Sequence, residues 1–334
     1  MKVSAFTSGA PAQLSDILGA VRGSGNVRVT VADVAKAATG VFNVRDPQFA
    51  GGADNTGATD ALAAFDAAIA ALNAAGSGKL VVPDGTYNLS ATWDIVLESR
   101  YYDIELSAGA IIKAASGFAV DTKLILVQDD SPAVKGIRFN FHGGKLDGRL
   151  MPKRSSGAPD LLYITSKNIE KCEVYGTEFL IGNLITQSST STAIGTGSKV
   201  FTTTDNLDDD NSSVIVGQAV HIVSRADAAN GMYGTVTASS GTSLTVNVTS
   251  VDGSGTFTDW TIMPDGGDSG LFFAEGKNFT AEKNSFYGFT DAGIYLSGDA
   301  TETYGEDAFI EKNVFKYCSV PVIAKRSWRR YNCI

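Results

Sequence analysis

The sequence predicts an all-β-dominated protein built as a solenoid, in which short parallel strands wind into stacked coils. The first observation is a recurring string: EKCEVYG from Glu170, EKNSFYG from Glu282 and EKNVFKY from Glu311. The second is that helical spacing of apolar residues is almost confined to residues 58–75. The third is the 36 glycines among 334 residues, which separate short apolar runs as tight turns do.

Residues 1–40 read as a small N-terminal module. The stretch AQLSDILGAV has helical apolar spacing, and GNVRVTVADVAKA then alternates Val27, Val29 and Val31 as a strand does. The module is too short to bury much apolar surface alone. We therefore expect it to pack on the next domain or on copies of itself.

Residues 54–76 predict the clearest helix of the chain. Thr59 or Asp60 stands where an N-cap belongs, and Gly76 stands where the helix should end. The apolar residues between them recur at steps of three and four: Leu62, Phe65, Ile69 and Leu72.

The stretch GKLVVPDGTYNLS (residues 78–90) places two apolar runs on either side of Pro83-Asp84-Gly85. One interpretation is a hairpin turn between antiparallel strands. The other is the corner of a solenoid coil, with the two runs as its consecutive sides. The repeats favour the corner, and Asp84 is then a turn-forming residue.

The recurring strings predict which residues share a column of the solenoid. The fourth residue after each glutamate is apolar, namely Val174, Phe286 and Phe315, and Phe141 lies 33 residues before Val174. The second residue after each glutamate is Cys172, Asn284 or Asn313. Asparagines at equivalent turns can hydrogen-bond to their copies in the next coil. We also expect Glu170, Glu282 and Glu311 to share a column.

The distances between the strings predict an insertion. Glu282 and Glu311 are 29 residues apart, but Glu170 and Glu282 are 112 apart. The excess matches residues 188–264, which are rich in Ser and Thr and contain five alternating runs with glycine turns. We expect a small antiparallel sandwich or barrel there, with a helix and the first coils in residues 41–187 and further coils in residues 265–334.

Residues 42–90 carry a family resemblance. An extended run, a glycine-rich loop, an Ala-rich helix and a strand reaching Pro-Asp-Gly-Thr-Tyr follow in the order seen at the start of pectate-lyase-like right-handed β-helix proteins, especially bacteriophage tailspikes. The acidic pair before the family's helix is reduced here to Asp60. GNVRVTVADVAKA and residues 195–262 also resemble modules of phage tail fibres.

The resemblance implies a right-handed parallel β-helix whose first coil is covered by a capping α-helix. It also implies a homotrimer in the phage tail of a virion, docked on other tail proteins through residues 1–40 and attached to host cell-surface polysaccharide. The opening residues lack the apolar segment of a secretory signal. We therefore expect assembly in the host cytoplasm and action outside the cell.

Three functions stay open: attachment without catalysis, depolymerisation of capsule or lipopolysaccharide, and a secreted bacterial polyuronide lyase. Glycoside hydrolysis needs two carboxylates across a groove. The sequence candidates are Asp147, Glu178 and Asp291, with Glu178 one coil after Asp147 near the same register. Aromatic rings pack on the apolar faces of sugars, and Tyr287, Tyr295 and Trp260 are the candidates for glycan binding.

Composition excludes other classes. A net charge of −9 argues against a nucleic-acid partner, and no apolar run approaches the ~18–20 residues that span a bilayer. Cys172, Cys318 and Cys333 are too few and too far apart for a disulfide framework or a zinc site. We expect no metal or other cofactor, and residues 205–213 read as a solvated acidic hairpin tip.

Overall fold

The computed structural model describes residues 17–22, 25–30, 40–119, 122–129, 134–151, 159–181, 186–208, 214–265, 268–297, 306–325 and 331–333. The first elements are β1 (Ile17–Arg22), β2 (Gly25–Thr30), β3 (Val41–Asn43), β4 (Thr56–Asp60), α1 (Leu62–Ala75), β5 (Gly78–Val82), β6 (Gly85–Leu89), β7 (Trp93–Val96), β8 (Tyr101–Leu106), β9 (Ala110–Ala114) and β10 (Ile125–Gln128). Then follow β11 (Ile137–His142), β12 (Lys145–Asp147), β13 (Leu162–Thr165), β14 (Ile169–Tyr175), β15 (Glu178–Leu180), β16 (Thr186–Ser188), β17 (Thr192–Ala193), β18 (Gly197–Thr202), β19 (Ala219–Ser224) and β20 (Gly231–Ser240). The last are β21 (Ser243–Asp252), β22 (Thr256–Phe257), β23 (Trp260–Pro264), β24 (Ser269–Glu275), β25 (Lys277–Glu282), β26 (Ser285–Tyr287), β27 (Ala292–Leu296), β28 (Glu306–Glu311), β29 (Val314–Lys316), β30 (Val320–Ala324) and β31 (Tyr331–Cys333).

Three parallel sheets form the body of the molecule. Sheet 1 has the order β3-β5-β8-β11-β14-β25-β28-β31, sheet 2 the order β4-β6-β9-β12-β15-β26-β29, and sheet 3 the order β7-β10-β13-β24-β27-β30. From β5 onward the chain visits the sheets in the rotation 1, 2, 3, so each set of three strands is one coil; before it, β3 and β4 are followed by α1 in place of a strand of sheet 3. The predicted solenoid of parallel strands is confirmed.

The inward side chains of the three sheets form one apolar core. Alternate residues along each strand are buried, as in Leu80 and Val82 of β5. Equivalent inward residues stack from coil to coil, and Phe286 lies between Phe179 at 4.7 Å and Phe315 at 5.1 Å between ring centroids. The inward side chains of one coil are therefore fully buried only when the adjacent coils stack on it.

Helix α1 lies at one end of this core. Phe65 packs on Trp93 with ring centroids 4.8 Å apart, and the other buried residues of the helix include Ile69 and Leu72. Gly76 ends the helix with φ 84°, as predicted. The helix has 14 residues, and no helix among the described residues could cross a bilayer.

The helix begins at Leu62, with Ala61 as its N-cap, one or two residues after the predicted N-cap at Thr59 or Asp60. The carboxylate of Asp54 accepts hydrogen bonds from the backbone N–H groups of Thr56 (2.9 Å) and Thr59 (2.7 Å). This local turn competes with helical hydrogen bonding. Asp60 then accepts a hydrogen bond from the backbone N–H of Leu62 at 3.2 Å, so the helix begins after it.

The stretch around Asp84 is a corner. Strands β5 and β6 lie in different sheets, and each pairs in parallel with the next coil. Asp84 Oδ1 accepts a hydrogen bond from the backbone N–H of Gly109 at 2.9 Å, which ties one corner to the next. At Gly85, φ is 142° and an added Cβ would lie 2.5 Å from the carbonyl oxygen of Asn55, so only glycine fits.

The predicted columns are right in part. Phe141 pairs with Val174, Phe286 with Phe315, and Glu282 with Glu311. The amide of Asn284 donates to Asn313 Oδ1 at 3.1 Å, so the asparagine ladder is present.

The column through Glu170 is wrong. Tyr175, not Glu170, lies opposite Glu282, and Val174 lies opposite Ala281. The two Glu-Lys pairs have different conformations, because Lys283 adopts φ 56° at the end of a strand whereas Lys171 lies inside β14.

The chain leaves the coil between β15 and β24 and forms a six-stranded antiparallel sheet with the order β16-β23-β19-β20-β21-β18. This sheet has a separate apolar core that includes Phe201, Ile222, Leu244 and Trp260. Strands β1 and β2 form an antiparallel hairpin. The helix predicted for AQLSDILGAV (residues 12–21) is therefore wrong over residues 17–21, where pairing with β2 satisfies the backbone. Apart from β1, β2 and Gly40, residues 1–40 lie outside the described residues.

Candidate functional site

The corners of the coil differ sharply in length. From β5 onward, the corners from sheet 1 to sheet 2 contain only two or three residues, such as Gly176 and Thr177. The corners from sheet 2 to sheet 3 include residues 115–124, 148–161 and 181–268. Long connections on a rigid scaffold are where binding and catalytic residues concentrate. The sheet 2 to sheet 3 corner and the neighbouring outer face of sheet 3 are therefore the candidate region for a functional site.

Three aromatic residues form a column on the outer face of sheet 3. Tyr163, Phe272 and Tyr295 lie in register on β13, β24 and β27. Their ring centroids are 4.6 and 4.7 Å apart, with interplanar angles of 19° and 9°. We call these three residues the aromatic ladder.

A lysine lies at each end of the aromatic ladder. Lys123 Nζ is 5.0 Å from the centroid of Tyr163, and Lys325 Nζ is 5.0 Å from that of Tyr295. Tyr163 and Phe272 are half-buried, and Tyr295 is 8% exposed. The faces of the three rings are therefore covered by one another and by the two cations, and the ladder presents ring edges to solvent.

A buried carboxyl group lies at the corner beside the ladder. Asp160 is completely buried just before β13, and its Oδ1 accepts a hydrogen bond from the backbone N–H of Ser269 at 3.0 Å. Asp160 Oδ2 has no hydrogen-bonding partner within the described part of the chain. Burial, and then the negative charge of Asp268, raise the pKa of Asp160 to about 8, against the opposing effect of Lys123. Asp160 is therefore a protonated acid at neutral pH.

Two further carboxylates occupy this corner in the next two coils. The backbone N–H of Asp268 donates to the carbonyl oxygen of Pro159, and that of Asp291 donates to the carbonyl oxygen of Asp268 at 3.0 Å. Asp268 and Asp291 are both half-exposed. Adjacent strands are about 4.8 Å apart, a spacing close to the ~5 Å of a retaining glycosidase pair. Across the described residues, no three His, Cys, Asp or Glu side chains are placed to hold a metal ion.

Asp147 and Glu178 do not form the pair that their spacing suggested. Asp147 lies opposite Leu180, and Glu178 lies opposite Lys145, so the two are two residues out of register. Asp147 is buried with Arg149, whose Nη2 is 2.6 Å from Asp147 Oδ2, and Glu178 Oε1 is 2.9 Å from Lys145 Nζ. Both carboxylates have a cationic partner in their own coil or the adjacent one. Asp291 lies elsewhere, at the corner described above.

The three predicted sugar-binding aromatics have different surroundings. Tyr295 belongs to the aromatic ladder, and Tyr287 is half-buried with Lys316 Nζ 5.6 Å from its ring centroid. Trp260 is completely buried in the antiparallel sheet, where its Nε1 donates to the carbonyl oxygen of Thr190 at 3.1 Å. Trp260 therefore presents no ring face to a ligand, and its assignment to glycan binding is corrected: it is a core residue.

Sequence reasoning missed Asp160, Asp268, Tyr163 and Phe272. A signal was present, because the runs DLLY, DSGLF and DAGIY each place an aspartate three or four residues before an aromatic residue. Asp268 and Asp291 begin the last two runs, 23 residues apart. Matching these runs would have identified the corner and the ladder together.

Comparison with known proteins gives structural matches only: no family model and no curated protein sequence matches the chain. A putative glycosyl hydrolase from Parabacteroides merdae is 13% identical, with 88% of this chain and 95% of that chain covered and a TM-score of 0.47. The Dettilon tailspike protein is 14% identical (90% and 40% covered, TM-score 0.46), and ORF18 of Geobacillus virus E2 is 11% identical (90% and 49% covered, TM-score 0.39). The chain thus spans less than half the length of the two viral proteins.

Proposed function

We propose that this chain is a phage tailspike or tail-fibre protein that attaches the virion to host cell-surface polysaccharide through the outer face of sheet 3. The observation that carries the proposal is the aromatic ladder with a lysine at each end. Because the rings stack on one another and a lysine covers each end of the stack, a sugar would contact the ring edges. The tyrosine hydroxyls and the lysine ammonium groups there can hydrogen-bond to sugar hydroxyls. Successive rings follow the axis of the coil, which suits a linear polymer.

The finer architecture belongs to the same proposal. Residues 1–40 dock on other tail proteins, residues 41–187 and 265–334 form a right-handed coil, and residues 188–264 form an inserted module. Right-handed winding is expected because connections between parallel strands of one sheet are overwhelmingly right-handed. Three chains side by side form a homotrimer, and analytical ultracentrifugation of the full chain tests this number.

Polysaccharide binding is tested with the full chain on immobilised capsule and lipopolysaccharide polysaccharides from a panel of bacteria. We expect retention on at least one of them and its loss in Phe272→Ala, which removes the middle ring of the ladder. Phe309→Ala is the matched control, because Phe309 is an exposed phenylalanine on β28 of sheet 1, away from the ladder and its corner. Equal retention of Phe272→Ala and the wild type would refute the assignment of this face.

A second candidate function is depolymerisation, and the carboxyls of the corner favour it. Asp268 and Asp291 lie on adjacent coils beside the ladder. One would donate a proton to the leaving glycosidic oxygen, and the other would act as nucleophile or as base toward water. Asp160 stays protonated behind Asp268, so it adds no negative charge at neutral pH.

Depolymerase activity is measured by incubating the protein with the polysaccharide that it binds and following reducing ends. We expect new reducing ends that disappear in Asp268→Asn and Asp291→Asn, while binding remains. Absorbance of unsaturated uronate distinguishes elimination by a polyuronide lyase from hydrolysis. Binding without either product leaves attachment as the function.

A further inference from the structure

A second cluster of polar and aromatic side chains lies on the outer face of sheet 1, away from the ladder. It comprises Lys79 on β5, Asp103 on β8, Asn140 and His142 on β11, and Glu173 and Tyr175 on β14. Asp103, Asn140 and Glu173 are in register on successive coils, and His142 and Tyr175 form the neighbouring column. We call these six residues the sheet 1 patch.

The centre of the patch is held by specific contacts. The ring of His142 stacks on that of Tyr175, with centroids 4.6 Å apart and an interplanar angle of 4°. His142 Nε2 is 3.0 Å from Asp103 Oδ1, and both side chains are 16% exposed. The imidazole is therefore fixed from two directions, and it backs one face of the tyrosine ring.

The aromatic column ends at Tyr175. The residue opposite Tyr175 on the following coil is Glu282, which pairs with Lys283 at 2.7 Å. No aromatic ring follows at this position, and Tyr175 is 40% exposed. The stack thus has two rings, with its outer tyrosine accessible beside the carboxylate of Glu173.

The charges of the patch select the kind of ligand. Lys79 lies 3.8 Å from Asp103 and also pairs with Glu105, and Lys171 lies 2.9 Å from Glu173. The cations already have carboxylate partners, and the patch has two carboxylates, Asp103 and Glu173, with Glu105 beside it. An anionic sugar would be repelled, whereas the hydroxyls of a neutral sugar can donate to carboxylates in charge-assisted hydrogen bonds.

We propose that the sheet 1 patch is a second saccharide-binding site, which takes a neutral hexose unit with its apolar face on Tyr175 and its hydroxyls on Asp103, Asn140 and Glu173. It extends the proposed glycan-binding function to another face of the coil. The two sites are separable, since the patch and the ladder share no residue.

The site is tested by NMR titration of the full chain with neutral hexose oligosaccharides (gluco-, manno- and galacto-) and with oligogalacturonate. We expect saturable binding of at least one neutral oligosaccharide, weakened about tenfold or more in Tyr175→Ala, since ring stacking supplies much of the affinity of such sites. His142→Gln, which removes the backing ring and keeps a polar side chain, should weaken it less.

Two controls separate this site from the ladder. Phe272→Ala should leave binding at the patch unchanged, even if it abolishes attachment to polysaccharide. The circular dichroism spectrum of Tyr175→Ala should match that of the wild type, because Tyr175 is exposed. Absence of binding by every neutral oligosaccharide, binding that is insensitive to Tyr175→Ala, or tighter binding of oligogalacturonate to the patch would overturn the proposal.

Discussion

Replacement of Asp160 by asparagine gives the sharpest test of the corner beside the ladder. The side chain is completely buried, one carboxyl oxygen accepts a hydrogen bond from Ser269, and the other has no partner among the described residues. Asparagine keeps the shape and the acceptor but cannot ionise. Asp160→Asn therefore removes the titration while leaving the packing of the corner in place.

The magnitude follows from the two pKa values of Asp160. The ordinary value is 3.8, and in the folded chain burial raises the pKa to about 8. Between these values the folded chain holds a proton that the unfolded chain has lost, so stability falls as the pH rises and is flat above pH ~8. For each unit by which the pH rises between these values, the free energy of unfolding falls by up to about 1.4 kcal/mol. Local relaxation and water entry reduce this, and we expect a loss on the order of 3 kcal/mol between pH 5 and 8.

The assay is guanidinium unfolding of both proteins at a series of pH values from 5 to 8.5. Other groups titrate in both proteins, and their contributions cancel in the difference between the two stability curves. One of them is His221: burial lowers its pKa, which makes stability rise with pH through the lower part of this range in both proteins. We expect Asp160→Asn to become the more stable of the two by pH 8. Parallel stability curves for the two proteins would show that Asp160 is ionised when folded and would refute the reasoning.

Two core substitutions test the stacked coils by the same unfolding assay. Phe286→Ala should cost about 3–5 kcal/mol, because this fully buried ring lies between two other phenylalanine rings; Phe315→Ala, at a partly buried ring, should cost less. Asn284→Ala should cost about 2–3 kcal/mol, because it leaves the carbonyl oxygen of Val174 and the N–H of Thr177 without their side-chain partner. Equal losses in the two phenylalanine variants, or no loss at Asn284, would argue against stacking as the source of stability.

The corner at Asp84-Gly85 could be predicted from sequence because its cause is local. Proline, aspartate and glycine set the turn, and the alternation in the flanking runs fixes which side chains face inward. The end of α1 at Gly76 is local for the same reason. Its start was predicted to within two residues, because Asp60 accepts the hydrogen bond of the backbone N–H of Leu62, as a side chain next to a helix start does.

The error in the column through Glu170 has a different cause. The letters Glu-Lys recur, but a repeat in sequence marks a column only if the residues adopt the same conformation. Lys283 and Lys312 have φ values of 56° and 54° at strand ends, whereas Lys171 lies within a strand. The position that does repeat from coil to coil is an inward phenylalanine of sheet 2, occupied by Phe179, Phe286 and Phe315.

The acid at the corner could not be predicted because its burial depends on residues far apart in the chain. Asp160 meets the backbone N–H of Ser269 across 109 positions, and the antiparallel sheet lies between them in sequence. An aspartate before a strand usually reads as an exposed turn residue. Only the stacking of the two coils turns it into a buried carboxyl with a raised pKa.

The geometry of the coil explains why the ladder, the carboxyls and the insertion share one corner. The corner from sheet 1 to sheet 2 is tied at Asp84 and Asn284 by side chains that hydrogen-bond to an adjacent coil, so a longer loop there would break those bonds. The corner from sheet 2 to sheet 3 accommodates loops of very different length without disturbing any strand pairing. Sequence change is therefore tolerated at this corner, and a ligand-binding surface can evolve there while the core of the coil stays the same.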